Sequence, residues 1–505
     1  MSIERELKFR LPANALARAA RLLPAASRPR RRRVDSIYYD TPDLRLEAAR
    51  VALRLRRDGR RWLQALKAPQ GAQSALAQRT EWEMPAPRGR LDAALFPREA
   101  VRAATGLDIV RLAPQLKPVF VTRFERHSAL LRLGHGVRAE ACLDRGAIEA
   151  GGERERIVEL ELELLAGELA PLVGLAETLV EPLGLEIETA SKAERGYRLY
   201  RSAQPSPAKW PRPSIEESAA ASDAFATLSS AALAQIAANA AGVERGRDPE
   251  YLHQLRVGTR RLRSALRAFR PLLKRKRAAA VEQPFKDMMQ VFGAARDWDV
   301  FCQTLAETQA PAPLLALARR RRGAARHAAR ELVGSARFQL AQLAALRWLH
   351  ASPWRSAAAR AEPLARFARR SLDRLHAKLL KRARKIDWRD APQRHAVRIA
   401  VKRLRYSCDF FAACFPHQAV SPLLRALSGL QDTLGELNDA AVARGLLEAL
   451  APKDAAAQLR RAAAQVRARL AARERELIAS LENDWPAFVR KQPYWRPKRA
   501  RRARR

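Results

Sequence analysis

Two carboxylates and one ammonium group occupy alternate positions near the start of the chain. In the segment ERELK, Glu4, Glu6 and Lys8 are two residues apart, so in a β-strand their side chains share one face. Carboxylates hold Mg²⁺ or Mn²⁺, and an ammonium group binds phosphate oxygens. Phosphoryl transfer needs this combination of charge neutralisation and alignment. The pattern predicts a strand that holds metal through Glu4 and Glu6 and phosphate through Lys8.

The same alternation of charges recurs along short strands predicted within residues 1–200. Cations at such positions are Arg54, Arg56, Lys67 and Arg123. Carboxylates alternate in IVELELELL, at Glu159, Glu161 and Glu163. A solvated face of an antiparallel sheet would explain one such strand. Six of them favour a barrel with a polar lumen and an apolar exterior that helices cover.

These segments resemble the CYTH family, the triphosphate tunnel metalloenzymes. The resemblance rests on ERELK, SIYYDTPD, LRLR, QRTEWE, LDRG, ELELEL and SKAERGYRL, which follow one another over nearly all of residues 1–200. It implies an antiparallel eight-stranded β tunnel with flanking helices. It also implies hydrolysis or rearrangement of a triphosphate with a divalent metal, Mg²⁺ or Mn²⁺.

The resemblance also implies roles for individual residues. The implied metal ligands are Glu4, Glu6 and Glu163. Glu161 would be a further metal ligand or would orient the attacking water, so Glu161 and Lys8 are the catalytic candidates. The implied substrate-binding residues are Lys8, Arg54, Arg56, Lys67, Arg123 and Lys192. Spacing does not decide which of Glu159, Glu161 and Glu163 has which role, since all three point the same way.

The arrangement of a tunnel followed by a basic helical region resembles bacterial inorganic triphosphatases. We therefore expect inorganic triphosphate as substrate, hydrolysed to pyrophosphate and phosphate. Adenylate cyclase or thiamine-triphosphatase activity in the tunnel is an alternative. Another alternative is a non-catalytic scaffold that binds polyphosphate or nucleic acid.

Positive charge is concentrated in the second part of the chain. The protein has 95 Lys and Arg against 53 Asp and Glu, for a net charge of +42. Residues 1–200 contribute +8 of this charge, and residues 201–505 contribute +34. Such an excess predicts a polyanionic partner for residues 201–505.

Two segments of this basic region repeat at an offset of 142 residues. LHQLRVGTRRLRSALRAF (252–269) aligns with RHAVRIAVKRLRYSCDFF (394–411), and VFGAARDWDV (291–300) aligns with TLGELNDAAV (433–442). The constant offset indicates that a helical unit is duplicated. On a helix, each copy places its basic side chains in one arc opposite an apolar face. The two arcs contain His253, Arg256, Arg260 and Arg263, and His395, Arg398, Lys402 and Arg405.

The repeated region resembles the CHAD domain, over about residues 220–485. The resemblance rests on HQLRVGTRRLR, RDWDV, KRLRY and LGELNDAAV. It implies two pseudo-symmetric helical halves around a basic channel that binds polyphosphate through the two arcs. No carboxylate cluster comparable to that of the tunnel occurs in this sequence, so we expect binding without hydrolysis. The charge would also suit nucleic acid, but the sequence contains no recognised nucleic-acid-binding module.

The predicted organisation follows composition. We expect the tunnel domain at 1–200, a proline-rich linker at 201–217, a duplicated helical-bundle domain at 218–488 and a basic tail at 489–505. The four cysteines have neither metal-ligand nor disulfide spacing, and the N-terminus lacks a signal-peptide core. We therefore expect a cytoplasmic protein. We find no stretch of about 18 uncharged apolar residues, so we expect no membrane span. Polyphosphate binding would associate the protein with polyphosphate granules.

Overall fold

The computed structural model describes residues 2–24, 26–69, 76–211, 213–246, 248–452 and 454–496. The chain forms two compact units. The first unit comprises Met1–Pro211, Ser230–Gly258 and Leu332–Ser352. The second unit comprises Arg212–Ser229, Thr259–Glu331 and Pro353–Arg505.

Strands of the first unit form one antiparallel sheet. Within the described residues, the strands are β1 (Ser2–Arg10), β2 (Arg30–Asp40), β3 (Ala52–Asp58), β4 (Arg61–Pro69), β5 (Leu76–Pro85), β6 (Lys117–Arg132), β7 (Arg138–Ala150), β8 (Glu153–Ala166) and β9 (Glu186–Ile187). Their order is β5-β4-β3-β2-β6-β7-β8-β1-β9, and a further pairing of β1 with β5 closes β1 to β8 into a barrel. The predicted eight-stranded antiparallel tunnel is confirmed.

Helices flank the barrel and dominate the chain after residue 220. Among the described residues they are α1 (Leu16–Leu22), α2 (Arg45–Ala48), α3 (Arg98–Thr105), α4 (Ile109–Leu112), α5 (Leu169–Leu183), α6 (Lys192–Tyr200), α7 (Ala221–Arg245), α8 (Glu250–Ala268), α9 (Arg275–Glu307), α10 (Ala312–Gly334), α11 (Ala336–His350), α12 (Ala357–Arg360), α13 (Leu364–Ala383), α14 (Ala391–Phe410), α15 (His417–Leu450) and α16 (Ala457–Val489). The predicted helical character of this second region is confirmed.

Alternation along the strands separates an apolar outer face from a polar lumen. On β1, Leu7 and Phe9 are fully buried on the outer face, whereas Glu6 and Lys8 face the lumen. The helix α5 packs against β8, whose outer face carries Leu160. A second apolar cluster, which includes Leu53, Leu66, Trp82, Phe96 and Val101, covers the outside of β3 to β5 with α3. This burial on the outside fixes which residues point into the tunnel.

An apolar cluster also fills one part of the barrel interior beneath α6. Its members are Val34, Tyr38, Val119, Phe120, Phe124, Ile148, Ala150, Ile157 and Tyr197. The helix α6 begins with a capping box, in which the Ser191 hydroxyl accepts from Glu194 N and the Glu194 carboxylate accepts from Ser191 N. Gly196 brings the helix so close to β6 that an added Cβ would lie 2.2 Å from the Phe120 ring. These contacts fix α6 against the strands.

The second unit is helical and contains most of the predicted repeat, whose first segment begins in the first unit. The helices α9 and α15 begin at Arg275 and His417, which are 142 residues apart, the offset of the sequence repeat. One core cluster joins α9, α10, α15 and α16 through side chains such as Phe301, Leu314 and Leu447. A group of aromatic rings forms a separate part of the core, with Phe269 contacting Phe225, Phe367 and Phe411.

Two segments outside the helices have defined contacts. In the predicted linker, Ala208 exchanges two hydrogen bonds with the buried Asn239 side chain of α7, at 3.0 and 2.9 Å. In the predicted tail, Trp495 is 1% exposed, and its indole N–H donates to Asp373 at 2.9 Å. The basic run at 497–505 lies outside the described residues. The predicted domain boundaries stay a prediction.

One helix within the described residues, α7, is long and apolar enough to cross a membrane when judged by length and composition alone. In its most apolar window, 67% of the residues are buried inside the structure. Buried core helices of folded proteins pass the same test, so the expected absence of a membrane span stays a prediction.

Candidate active site in the tunnel

Charged side chains of both signs line a cavity of about 1230 Å³ in the first unit. The cavity occupies the barrel lumen and is also bordered by residues 203–211 and by α7. Cations facing it from the strands and α6 include Lys8, Arg32, Arg54, Arg56, Lys67, Arg79, Arg126 and Lys192. Carboxylates facing it from the strands include Glu4, Glu6, Glu81, Glu83, Glu140, Glu161 and Glu163. The structure therefore brings nine of the ten predicted tunnel residues to one cavity.

Arg123 is the exception, and its predicted position in the lumen is wrong. Its side chain is exposed and pairs with Glu149 outside the lumen. On β6 the alternate positions that point into the lumen are the even-numbered ones, and they include Phe124 and Arg126. Sequence reasoning missed Arg126 because its inward neighbours Phe120, Thr122 and Phe124 read as an apolar outer face.

Three glutamates form a row across adjacent strands of the tunnel. In the antiparallel register, Glu6 of β1 lies opposite Glu163 of β8, which lies opposite Glu140 of β7. Burial, and then the charges of Glu4, Glu6 and Glu140, raise the pKa of Glu163 to about 7. Adjacent like charges of this kind are destabilising unless a cation joins them. Clustered carboxylate oxygens are the ligand set that Mg²⁺ and Mn²⁺ prefer, so these residues fit a divalent metal.

Glu4 extends this acidic group but is held by a cation. Lys67 Nζ lies 2.6 Å from Glu4 Oε2 and 3.3 Å from Glu81 Oε2. Burial lowers the pKa of Lys67, but Glu4 and Glu81 outweigh that effect and the pKa is raised. Glu6 has weaker contacts, to Arg79 at 3.3 Å and to Lys8 at 3.5 Å. A bound metal would therefore compete with Lys67 for Glu4.

A second group of carboxylates is neutralised by cations. Asp144, Glu159 and Glu161 offer oxygens that lie within 4.8 Å of one another. Lys192 Nζ contacts all three, at 2.9, 2.7 and 2.7 Å respectively. Arg126 donates to Asp144 at 2.7 and 2.6 Å and to Glu161 at 2.5 Å. The structure thus separates Glu161, which is held by cations, from Glu163, which lies in the acidic row.

These cations keep Glu161 ionised. Burial raises the pKa of Glu161, but Lys192, Arg126 and Lys8 outweigh burial and hold the pKa well below its usual range. Lys8 is also the residue directly opposite Glu161 in the β1–β8 register. Glu161 can therefore accept a hydrogen bond from a water molecule beside Lys8, but it is a weak base.

Several tunnel guanidinium groups keep N–H donors without a hydrogen-bond partner in the described part of the chain. These donors are the Nε atoms of Arg32, Arg54 and Arg56 and one terminal nitrogen of Arg79. Burial, and then the charge of Arg54, lower the pKa of Arg56, so nearby carboxylates do not fully compensate this one cation. Unsatisfied buried donors are costly, and oxyanions satisfy them. The lumen therefore has both the charge and the free donors to bind phosphate groups.

Arg79 and Glu140 are further site residues that sequence reasoning did not assign. Arg79 lies opposite Glu4 in the β1–β5 register and is on the same strand face as Glu81. Glu140 alternates with Cys142 and Asp144 along β7, in the segment EACLD. The alternation with Asp144 could have predicted that Glu140 faces the lumen. The two-residue spacing from Glu81 in QRTEWE could have predicted the same for Arg79.

The predicted polyphosphate residues lie on α8 and α14. His253 and Arg256 fall within the first unit, whereas Arg260, Arg263, His395, Arg398, Lys402 and Arg405 fall within the second. In the second unit, burial lowers the pKa of Arg398, and Arg260 lowers it further against the opposing charges of Asp439 and Asp297. Arg260 Nε and Arg398 Nε are buried without partners among the described residues. These two arginines therefore come from the two repeats and influence each other electrostatically.

Other predicted residues of the second unit have partners within the protein. Arg263 donates to Glu282 at 3.3 Å. Arg405 donates to Gln431 at 2.8 Å and lies over the Tyr406 ring. His395 is exposed. Arg260 and Arg398 are thus the predicted residues of this unit with the clearest unsatisfied donors.

Comparisons with known proteins identify two regions of the chain. Residues 2–197 match the family model of the CYTH domain, and residues 228–448 match that of the CHAD domain. A curated inorganic triphosphatase from Haemophilus influenzae is 31% identical over 167 residues, which are 32% of this chain and 44% of that protein. The chain thus spans less than half the length of that relative.

Solved structures are similar to each region. The crystal structure of the CHAD domain from the plant Ricinus communis is 32% identical, covers 57% of this chain and 98% of that chain, and has a TM-score of 0.50. A putative adenylyl cyclase from Hippeastrum, described as having a dominant triphosphatase activity, is 20% identical over 39% of this chain and 95% of that chain, with a TM-score of 0.30. The two family models show that residues 2–197 form a CYTH domain and that residues 228–448 form a CHAD domain.

Proposed function

We propose that the tunnel hydrolyses inorganic triphosphate to pyrophosphate and phosphate with a divalent metal. The observation that supports this most is the pairing, in one cavity, of unsatisfied guanidinium donors with an acidic row. Arg54 and Arg56 supply the donors, and Glu6 and Glu163 belong to the row. A triphosphate with its metal complements both halves of that arrangement. The similarity to an inorganic triphosphatase adds support for this substrate.

The metal would be held by Glu4, Glu6 and Glu163, with Glu140 as the neighbouring carboxylate. Mg²⁺ or Mn²⁺, when bound, neutralises phosphate charge and polarises a phosphoryl oxygen. The protein's own residues bind and align the chain of phosphates. Lys8, Arg54, Arg56, Lys67, Arg79, Arg126 and Lys192 are the cations available to phosphate oxygens in the lumen.

Hydrolysis requires a water molecule in line with the scissile bond. Glu161 is ionised and lies opposite Lys8, so it orients this water by accepting one of its hydrogen bonds. The water oxygen bonds to a terminal phosphorus while the bond from that phosphorus to the bridging oxygen breaks. Pyrophosphate leaves with the bridging oxygen, and the water's proton is released to solvent.

For residues 228–448 we propose binding of linear polyphosphate without hydrolysis. The supporting observation is that Arg260 and Arg398, from the two repeats, both have buried Nε donors without partners among the described residues. Phosphate oxygens would satisfy these donors and relieve the mutual repulsion of the two cations.

An organic triphosphate is the second candidate substrate, because the cavity is large enough for an organic group in addition to the phosphates. At about 1230 Å³ the cavity exceeds the volume of a typical small-molecule pocket, which is roughly 300–1,000 Å³. Three phosphate groups alone occupy a small part of that space. Thiamine-triphosphatase activity therefore belongs in the same test, and so does adenylate cyclase activity, which releases pyrophosphate and is detected when added pyrophosphatase converts that product to phosphate.

A phosphate-release screen tests this proposal. The full chain is incubated with inorganic triphosphate, ATP, thiamine triphosphate and long-chain polyphosphate, each with Mg²⁺, with Mn²⁺ and with EDTA. We expect the highest kcat/KM for inorganic triphosphate and no release in EDTA. A higher kcat/KM for ATP or thiamine triphosphate would show that the organic triphosphate, and not inorganic triphosphate, is the substrate. Release in EDTA at the same rate would refute the role of the metal.

A further inference from the structure

The helix α6 carries a second buried cation, Arg195, one turn after Lys192. Residues three apart on a helix are neighbours on its surface, so both side chains point toward the strands. Arg195 is 4% exposed. Its Nε donates to Glu155 at 2.6 Å, and one terminal nitrogen donates to the carbonyl oxygen of Arg156 at 2.7 Å. The other terminal nitrogen donates to Glu159.

Glu159 links Arg195 to Lys192, the lysine that lines the cavity. Glu159 is fully buried, and its two oxygens are divided between two cations. Oε1 accepts from Arg195, and Oε2 accepts from Lys192 at 2.7 Å. Glu159 itself is absent from the lining of the cavity, whereas Lys192 and Glu161 are part of it. Arg195 is also absent from that lining, and it is linked to the lumen through Glu159, which holds Lys192, and through Glu155, which lines the cavity.

The charges in this network balance only when Arg195 is present. Asp144, Glu159 and Glu161 are matched by Lys192, Arg126 and Arg195. Without Arg195, Lys192 would be the remaining partner of a fully buried carboxylate. A buried carboxylate holds its last counter-ion strongly, so Lys192 would be drawn toward Glu159 and away from phosphate in the lumen.

We propose that Arg195 is a positioning residue for triphosphate binding, because it satisfies Glu159 and so leaves Lys192 able to contact phosphate. This inference rests on the proposed function of the tunnel. It concerns substrate affinity and not the chemical step. It therefore predicts a change in KM with little change in kcat.

The chain offers a matched control on the same helix. Arg198 lies one turn further along α6, lines the cavity and pairs with Glu155, at 3.3 Å. Glu159 is not among its partners within the described residues. Replacing Arg198 removes an arginine from α6 and a contact with Glu155, but leaves the link from Arg195 through Glu159 to Lys192.

A double-mutant cycle on the full chain tests the proposal. Arg195→Ala and Lys192→Ala are measured singly and together, and Arg198→Ala is measured alone and with Lys192→Ala, all with triphosphate as substrate. We expect Arg195→Ala to raise KM about tenfold with kcat within about twofold. Because Arg198 lines the cavity without contacting Glu159, its replacement should change KM by the same factor with and without Lys192. In the Lys192→Ala background, Arg195→Ala should raise KM by less than about twofold, because its effect passes through Lys192.

Two further variants keep the test decisive. Arg195→Lys retains a charge beside Glu159 and should restore most of the affinity, whereas a purely steric role would not be rescued. Should Arg195→Ala not fold by circular dichroism, Arg195→Gln replaces it in the cycle, since it fills similar space without the charge. The proposal would be overturned if Arg195→Ala raised KM by the same factor with and without Lys192. A wild-type protein that does not hydrolyse triphosphate would instead refute the proposed function.

Discussion

Glu6 of β1 lies directly opposite Glu163 of β8, and the two carboxylates face the same lumen. Glu140 lies on the other side of Glu163, so a like-charged row crosses three strands. Within the described residues, neither Glu163 nor Glu140 has a salt bridge. The barrel therefore keeps a repulsive arrangement in its interior, which a divalent cation would convert into a favourable one.

The raised pKa of Glu163 predicts how stability depends on pH when metal is absent. In the folded protein this carboxyl has a pKa of about 7, against 4.5 for the ordinary carboxyl. Between these values the folded state holds a proton that the unfolded state has lost, so stability falls as pH rises from about 4.5 through about 7. Urea unfolding in EDTA at pH 5.5 and pH 8 measures this difference.

Glu163→Gln should remove this part of the pH dependence, because the amide cannot ionise. Glu153→Gln, an exposed position on the same strand, should leave it intact. Mn²⁺ should stabilise the wild type more at pH 8 than at pH 5.5. Equal pH profiles for wild type and Glu163→Gln would show that Glu163 is not strained in the metal-free tunnel.

Arg54 and Arg56 should contribute directly to substrate affinity. Each has a buried Nε without a partner among the described residues, and a charge-assisted hydrogen bond is worth roughly 1.5–3 kcal/mol. Replacing either by Ala should therefore weaken triphosphate binding by about 10- to 150-fold. Calorimetric titration with triphosphate measures the change. Arg123→Ala is the control, since this side chain lies outside the lumen, and an equal loss there would contradict the assignment.

The difference between Arg123 and Arg126 shows where sequence reasoning reaches its limit. Strand alternation predicted the barrel and most of the lumen correctly, because most strands have one charged face and one apolar face. On β6, however, the inward face carries Phe120 and Phe124, which belong to the apolar cluster beneath α6. The charge of Arg123 indicated that the alternate positions that include it point inward, but on this strand those positions lie on the outer face. Only the three-dimensional packing of α6 shows that apolar side chains fill part of the lumen.

Contacts between residues that are distant in sequence could not be predicted either. The capping box of α6 is visible in the segment SKAE, but the convergence of Lys192 on Asp144, Glu159 and Glu161 depends on the barrel's register. Likewise, proline content suggested an extended linker after α6. The hydrogen bonds between Ala208 and Asn239 are specific to the folded chain, and composition carries no signal for them.

Gly196 should be required for the position of α6. A Cβ at this position would lie 2.2 Å from the packed Phe120 ring, so the helix or the ring must move. Gly196→Ala should destabilise the protein by about 1–3 kcal/mol, as overpacking does. It should also raise KM for triphosphate, since Lys192 belongs to the same helix. Urea unfolding and steady-state kinetics measure the two effects.

Gly174→Ala provides the matched control for that variant. Gly174 lies within α5, and an added Cβ there meets no atom within 4 Å. Because alanine favours helix over glycine, this change should be neutral or stabilising by up to about 1 kcal/mol. If both variants behaved alike, the contact between Gly196 and Phe120 would not determine the placement of α6.

The CHAD domain should bind polyphosphate through Arg260 and Arg398, with strong dependence on salt. Neutralising phosphates releases counter-ions, so affinity should fall linearly with the logarithm of salt concentration. Arg260→Ala combined with Arg398→Ala should lower the slope of that line by about the amount expected for two phosphate contacts. Arg374→Ala, at an exposed position of α13, should not change the slope. The measurement is fluorescence titration of long-chain polyphosphate in EDTA. An unchanged slope in the double variant would place the binding site elsewhere.

The most direct test of the account is triphosphate turnover by Glu6→Gln at saturating Mn²⁺. Glu6 lies at the centre of the acidic group, and its replacement by an isosteric amide removes a metal-binding charge while the barrel fold is retained. Phosphate release is compared between wild type, Glu6→Gln and the exposed control Glu153→Gln, with circular dichroism to confirm folding. We predict that kcat of Glu6→Gln falls at least about 100-fold while the control is unaffected. Turnover by folded Glu6→Gln at the wild-type rate would contradict a metal-dependent triphosphatase in this tunnel.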